Sequence, residues 1–430
     1  MASKAVQDSR LASFQEKSTR YQVFDTSRFF RPDWIGTETG KVYEGTIMRL
    51  MTAYEKIVAR MKDYYRGKYP KPPDLEDKLF EAKLKARACD VARYILPAAT
   101  LTNFGMIMSA RELRYLISKL KGSFVAEMRD IGSELEHAAV SPAYNPQAER
   151  FGREADKDGA FSDMQVDEVA KFFSLQIKGA PTLVKHTEPR EYLIKKMAAL
   201  NELYKEFFGN AQPQIAPRVD YIEVACIPEQ ELIATLFYGV SPLPYRQILA
   251  RVKEMSAADT RRVITSVNAS RTPFDQLARE FEVPGSLIFD TFYDYGAFRD
   301  IQRHRMMTQI HQLLGIVHGY EVPQDLEDAD GLESYKEAMD AALAGYRAVA
   351  AEHPEEAAYL VPMAFKKRTL LKMNLREFYH LVELRSKSGG HFSYRDLVYE
   401  MYENVKAAHP LLVEDLRAVK MDFDEDFFKR

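Results

Sequence analysis

"VARYILPAATLTNFGMIMSARELRYLISKL" (91–120) and "EAAYLVPMAFKKRTLLKMNLREFYHLVELR" (356–385) align without a gap at a constant offset of 265, which sets Pro97 on Pro362, Arg111 on Arg376 and Leu113 on Phe378. Internal similarity at a fixed spacing marks two copies of one module. A shorter echo pairs "DSRLASFQ" (8–15) with "RHRMMTQI" (303–310) at an offset of 295, so the first copy holds about thirty more residues between its two blocks. That extra length is expected in the Lys/Pro-rich turn "RGKYPKPPDLEDK" (66–78). The polar, turn-rich stretches 141–163 and 209–218 punctuate the middle of the chain, and the second precedes strand-like sequence. The expected domains are therefore 1–210 and 216–430, the first short of the N-terminal part that its counterpart carries before "RHR".

Length agrees with two modules, because 430 residues exceed what one hydrophobic core usually serves. Helical periodicity dominates: 36–65, 77–96, 109–120 and 334–353 place apolar residues three and four apart. Strand character is concentrated in "VDYIEVACI" (219–227) and "SLIFDTFYDY" (286–295). The expected class is α+β with helices in excess. A formal charge of −3, from 60 Lys+Arg against 63 Asp+Glu, gives no global reason for a nucleic-acid or anionic-membrane partner, so any anion site is local. Cys89 and Cys226 are too few for a disulfide framework or a four-cysteine metal site, which fits a reducing cytoplasm and a packing role. His391, His409 and His318 lack ligand-spaced carboxylate or cysteine neighbours, so no metal is expected. No apolar leader or membrane span is evident, and a soluble cytoplasmic protein is expected.

The polar residues of the repeated blocks resemble the flavin-dependent thymidylate synthases. The signature of that family is an Arg-His-Arg triplet, a Ser and Glu-x-Ser-x-Arg-Tyr block, then Ala-Arg-x-x-Leu-Pro, then Asn-x-Arg-x-x-x-His/Asn-x-x-x-x-Arg. The first copy has "SFQEKSTRY" (13–21) and "ARYILP" (92–97), but Asp8-Ser9-Arg10 at the triplet and Ser109 and Leu120 at the late positions. The second keeps Arg303-His304-Arg305 and "NLREFYHLVELR" (374–385), but has "IHQLLGIV" for the Ser-x-Arg-Tyr block and Ala358 for the Ala-Arg arginine. The losses do not overlap.

The resemblance implies a mixed α/β fold and a homotetramer with each nucleotide site at a subunit interface. For a tandem chain it implies a homodimer forming a pseudo-tetramer. Arg303 and Arg385 would meet Ser18, Arg20 and Arg93 around the phosphate and base of deoxyuridylate, with Arg303, Arg385 and Ser18 in catalytic roles and Glu16 and Tyr21 in support. His304, Arg305, Asn374, Arg376 and His380 match positions along the flavin, FAD, with methylenetetrahydrofolate and reduced nicotinamide as co-substrates. Two departures stand out: Asp300 replaces the usual Gln before the triplet, and "GGHFSYRDL" (389–397) replaces the helix after the late arginine.

The residue types suit that chemistry on their own. Guanidinium forks bind a phosphomonoester bidentately, each charge-assisted hydrogen bond contributing roughly 1.5–3 kcal/mol. A flavin that delivers hydride leaves no need for a cysteine nucleophile. Each residue also has a structural alternative: Arg20 as a surface ion pair, Arg93 on a solvated helix face, "RHR" as a basic patch or a core histidine, and 374–385 as an amphipathic helix. A related flavoenzyme acting on another nucleotide, for which Asp300 is the hint, and a non-catalytic homologue are the alternative functions.

Overall fold

The computed structural model describes residues 1–141, 184–189, 217–222, 227–238, 245–268, 279–282, 286–424 and 426–428. Cys226 and residues 223–225 of the first strand-like run, most of 141–163 and residues 209–216 lie outside them. The described chain is helix-rich α+β, as its periodicity predicts, and it divides into two compact units. The larger unit comprises Met1, Lys17–Asn103 and Gln214–Arg430; the smaller comprises Ala2–Glu16 and Phe104–Pro213. Among the described residues no helix is long and apolar enough to cross a membrane.

The larger unit carries a four-stranded antiparallel sheet in the order β3-β4-β6-β5, with β3 Val219–Ile222, β4 Leu287–Asp294, β5 Thr308–His311 and β6 Lys366–Met373. On β4, Leu287, Phe289, Thr291 and Tyr293 are buried, which is the period of two expected of a strand with one face on the core. Phe289 stacks on Phe378 of the helix Leu375–Arg385. The long helix Glu38–Lys68 buries Tyr43, Ile47, Leu50, Met51, Tyr54, Ile57, Met61 and Tyr65 along one stripe. It starts where Thr37 accepts from Gly40 N at 3.0 Å, and Gly40 is required there because a Cβ would meet Ile35 O at 2.1 Å. The helix folds back onto Asp77–Ala92, joined by Arg66 and Lys62 to Glu81. Over the same interval the second copy has the helix Leu332–Ala350, preceded by the short turn of helix Asp325–Asp328. The extra residues thus turn one helix into a helical hairpin whose tip is the Lys/Pro-rich turn.

Backbone hydrogen bonds reproduce both offsets. Ala98 N donates to Val361 O and Met363 N to Leu96 O, at 2.9 and 3.0 Å; Ala99 N donates to Tyr359 O and Ala364 N to Tyr94 O, both at 2.9 Å. Each bond is the image of its partner under exchange of the copies, and Pro97 bridges Pro362 at the centre. The smaller unit pairs β1, Ala12–Glu16, with β2, Phe104–Met108, so that Ser13 faces Ile107 and Glu16 faces Phe104. β5 and β6 repeat that register with Thr308 against Lys372 and His311 against Thr369. Register is set by side-chain patterning, so its recurrence marks two related strand pairs.

Candidate functional site: arginines of both copies around Asp300

Arg20, Arg93, Arg303 and Arg385 all lie in the larger unit and all act electrostatically on one carboxylate, Asp300. Arg303 Nη1 is 3.7 Å from its Oδ1 and Arg93 Nη1 is 3.8 Å from its Oδ2, close enough for attraction but too far for hydrogen bonds. Burial by itself pushes the Asp300 carboxyl up; Arg303, then Arg93, Arg385 and Arg20, outweigh it and hold the pKa at about 2. One chain therefore brings together Arg20 and Arg93 of the first copy with Arg303 and Arg385 of the second.

Local structure sets each of them. Arg20 is buried, with Nε on Asp90 Oδ1 at 3.0 Å, Nη1 on the Tyr394 hydroxyl at 3.1 Å and Nη2 on Gly389 O at 3.0 Å. Its pKa stands above the usual value because Asp90 and Tyr394 outweigh the cost of burial. The Tyr394 ring lies 5.8 Å from the Arg20 guanidinium and 5.6 Å from that of Arg385, so one aromatic side chain spaces arginines of the two copies. Ser18 Oγ accepts from Arg20 N at 3.2 Å, and Tyr21 is exposed with its ring 5.8 Å from the Arg20 guanidinium.

Arg93 ends the helix Asp77–Ala92 and is 2% exposed, yet its Nε and Nη2 have no hydrogen-bond partner. Buried donors are almost always satisfied, so an unpaired guanidinium edge is a place where an anion gains the most. Gly296 leaves room beside it, since a Cβ there would come within 3.2 Å of Nη2 and 3.3 Å of Nε. The neighbouring Asp294 caps the helix Tyr295–Ile301 by accepting from Ala297 N at 2.7 Å; burial raises its pKa and Arg93 opposes the rise.

On the second copy's face, His304 is buried with Nδ1 3.1 Å from Glu377 Oε1, and its Nε2 accepts from Arg385 Nε at 2.9 Å. His380 is exposed, its ring 5.3 Å from that of His304. Arg376 pairs with Glu282, Arg305 is half-buried, and Asn374 caps its helix by accepting from Glu377 N at 2.9 Å. Glu16 is in the smaller unit, where Lys4 bonds it at 2.7 Å. The motif matches omit Asp90, Glu377, Gly389 and Tyr394. Glu377 follows the capping Asn374 by three positions, which is a capping-box signal, whereas Gly389 and Tyr394 sit in the "GGHFSYRDL" stretch that departs from the motif.

A model of the family described as thymidylate synthase complementing protein matches residues 1–138 and 255–411, which include both repeated blocks. The chain belongs to that family. UPF0159 proteins are similar along nearly the whole chain. That of Chlamydia pneumoniae is 30% identical over 427 residues, covering 96% of this chain and 73% of its own. That of Chlamydia muridarum (strain MoPn / Nigg) is 28% identical over 434 residues, covering 99% and 76%. That of Thermoplasma acidophilum is 26% identical over 452 residues, covering 97% and 82%. Among solved structures, a UMP/dUMP methylase PolB from Streptomyces cacaoi bound with 5-Br dUMP matches at a TM-score of 0.39 and 14% identity, covering 46% of this chain and 92% of that one. Two thymidylate synthase complementing regions in one chain agree with a tandem of divergent copies.

Proposed function

We propose that this chain methylates deoxyuridylate to thymidylate, with methylenetetrahydrofolate as carbon donor, at one composite site per chain built by both copies. The observation that carries the reading is the convergence of Arg20 and Arg93 with Arg303 and Arg385 around Asp300, together with family membership. The unpaired Nε and Nη2 of Arg93 would take the phosphate, Arg303 and Arg385 would complete its charge balance, and Ser18 and Tyr21 would line the approach beside Arg20. Two guanidinium forks match the acceptor count of a phosphomonoester, and burial strengthens their attraction by excluding water.

The residues around the second copy's triplet fit a flavin dinucleotide in donor chemistry. Arg305 and Arg376 offer cations to its diphosphate, His380 a ring N–H, and Asn374 keeps an amide N–H pair while its oxygen caps the helix. When bound, FAD would supply hydride, itself reduced by nicotinamide. The protein's part is to hold the nucleotide anion, orient the ring beside it and keep water away. Asp300 favours a second reading, a related enzyme on another nucleotide, because an ionised carboxylate accepts N–H donors and repels carbonyl oxygens.

The proposal includes copies that divide between 210 and 216 and a homodimer of chains. Conversion of deoxyuridylate to thymidylate by purified protein with FAD, reduced nicotinamide and methylenetetrahydrofolate tests the activity, with deoxycytidylate as competitor. Retained conversion by Arg93→Ala would overturn the site. A nucleotide stoichiometry of two per chain would overturn the single composite site, and a stable 49.4 kDa monomer in light scattering would overturn the dimer.

A further inference from the structure

Arg385 and His304 meet in a contact whose direction is fixed by chemistry. Arginine has no acceptor, so the 2.9 Å contact from its Nε makes His304 Nε2 the unprotonated ring nitrogen. The proton of the neutral ring is then on Nδ1, where it is donated to Glu377 Oε1 at 3.1 Å. The side chains of His304 and Glu377 are only 2% and 10% exposed, so solvent does not compete for these bonds. Glu377 is itself tied at its backbone by Asn374 at the start of the same helix.

We propose that Glu377 and His304 are positioning residues, a relay in which the carboxylate selects the imidazole tautomer and the imidazole aims Arg385 at the substrate anion. The inference rests on the nucleotide reading of the site and reassigns His304, whose two ring nitrogens are both committed inside the protein. Nothing on the ring is left to address a flavin, so a ligand contact there would break one link of the relay.

The relay opens on acidification. Protonation places an N–H on Nε2, opposite the Arg385 donor, and adds a positive charge beside a guanidinium. Burial lowers the His304 pKa, Glu377 raises it, and Arg385 and His380 lower it further, so the ring stays neutral at pH 7. The groups facing the pair are Glu377 and His380 on Leu375–Arg385, Tyr394 on Phe392–Ala408 and Asp300 on Tyr295–Ile301.

The test is calorimetric binding of deoxyuridylate to the full chain across pH 5.5–7.5. Glu377→Gln, which leaves the tautomer unselected, is expected to bind about tenfold more weakly at pH 7.5. His304→Ala is expected to lose about as much, and His304→Gln, whose amide oxygen can accept from Arg385, to recover most of it. The native protein is expected to lose affinity towards pH 5.5 more steeply than His304→Gln. The phosphate of the ligand titrates near pH 6 for both, so the difference between the curves belongs to His304. Glu377→Gln within twofold of native at pH 7.5, or His304→Gln binding no better than His304→Ala, would overturn the relay alone. A native protein that binds no deoxyuridylate would instead overturn the nucleotide reading, and the relay's proposed ligand with it.

Discussion

The two late helices of the repeat, Ala110–Lys121 and Leu375–Arg385, share a frame and differ in what they aim. Each starts at a polar cap that accepts from the backbone of a glutamate three positions on, Ser109 from Glu112 and Asn374 from Glu377. Each follows a strand paired in the same register. Beyond that they part. Arg385 reaches His304 on the second copy, while its counterpart Leu120 is 1% exposed and packs in a cluster with Val6 and Leu116. Asp8, the counterpart of Arg303, pairs with Lys119. In exchange, Arg93 is kept on the first copy and its counterpart Ala358 is buried. The frame is held by backbone bonds, which any side chain tolerates, and so it outlasts the loss of a polar face. The lost face gains apolar packing.

Reciprocal substitution is the strongest way to break that comparison. Leu120→Arg is expected to cost about 3–5 kcal/mol of stability in denaturant unfolding, since it puts an unpaired charge into an apolar cluster. Arg385→Leu is expected to lower the unfolding free energy by only about 1–2 kcal/mol, for the His304 acceptor it leaves unpaired, and to weaken deoxyuridylate binding by about 1.5–3 kcal/mol. Equal stability losses would show that the polar face is as structural as the apolar one.

Arg93→Met probes the face that only the first copy keeps. Its two unpaired donors correspond to two charge-assisted bonds to the ligand, so nucleotide affinity in calorimetry should fall by about 3 kcal/mol. An unchanged affinity would mean that the orphaned guanidinium edge serves the fold.

These differences were partly legible in the sequence. The complementary gaps at Asp8, Leu120, Ala358 and the Ser-x-Arg-Tyr block identify which copy keeps which arginine, because each is a local change in an otherwise aligned frame. The long helices were legible because apolar spacing is a local property. The helical hairpin was legible in its parts, apolar periods over 36–65 and 77–96 on either side of a Lys/Pro-rich turn. That the extra length lies in the helices as well as in the turn was not. Asp90 and Tyr394 were hidden for another reason: a polar residue on a helix reads as solvated, and only a contact across 374 residues buries Tyr394 against Arg20. Asp300 was visible as an exception, but the four cations that fix its charge are visible only in three dimensions.

Asp300→Asn sharpens the contrast between frame and face, with a smaller effect. Its folded pKa of about 2 lies below the ordinary 3.8, so the ionised carboxylate stabilises the fold fully above pH 3.8 and loses that contribution as pH falls towards 2. The drop from 3.8 to about 2 corresponds to about 2.5 kcal/mol. The variant should be less stable than the native protein by that order at pH 7, with the gap closing near pH 2. The same variant should bind inorganic phosphate more tightly, because a competing anion has left the arginines. A gap that persists at pH 2 would assign the loss to packing.

The smallest effect separates a cap from a ligand contact at equivalent positions. Ser109→Ala and Asn374→Ala each remove the acceptor of a helix-starting bond and should each cost about 1 kcal/mol in thermal unfolding. Asn374→Asp behaves differently. It keeps the acceptor for Glu377 N and adds negative charge at a helix N-terminus, which is favourable by about 0.3–1 kcal/mol, but it deletes the amide N–H donors. Its melting temperature should therefore match or exceed the native value, while retention of FAD on gel filtration should fall. If Asn374→Asp holds FAD as the native protein does, Asn374 is a cap alone, and at this position the two copies do the same work.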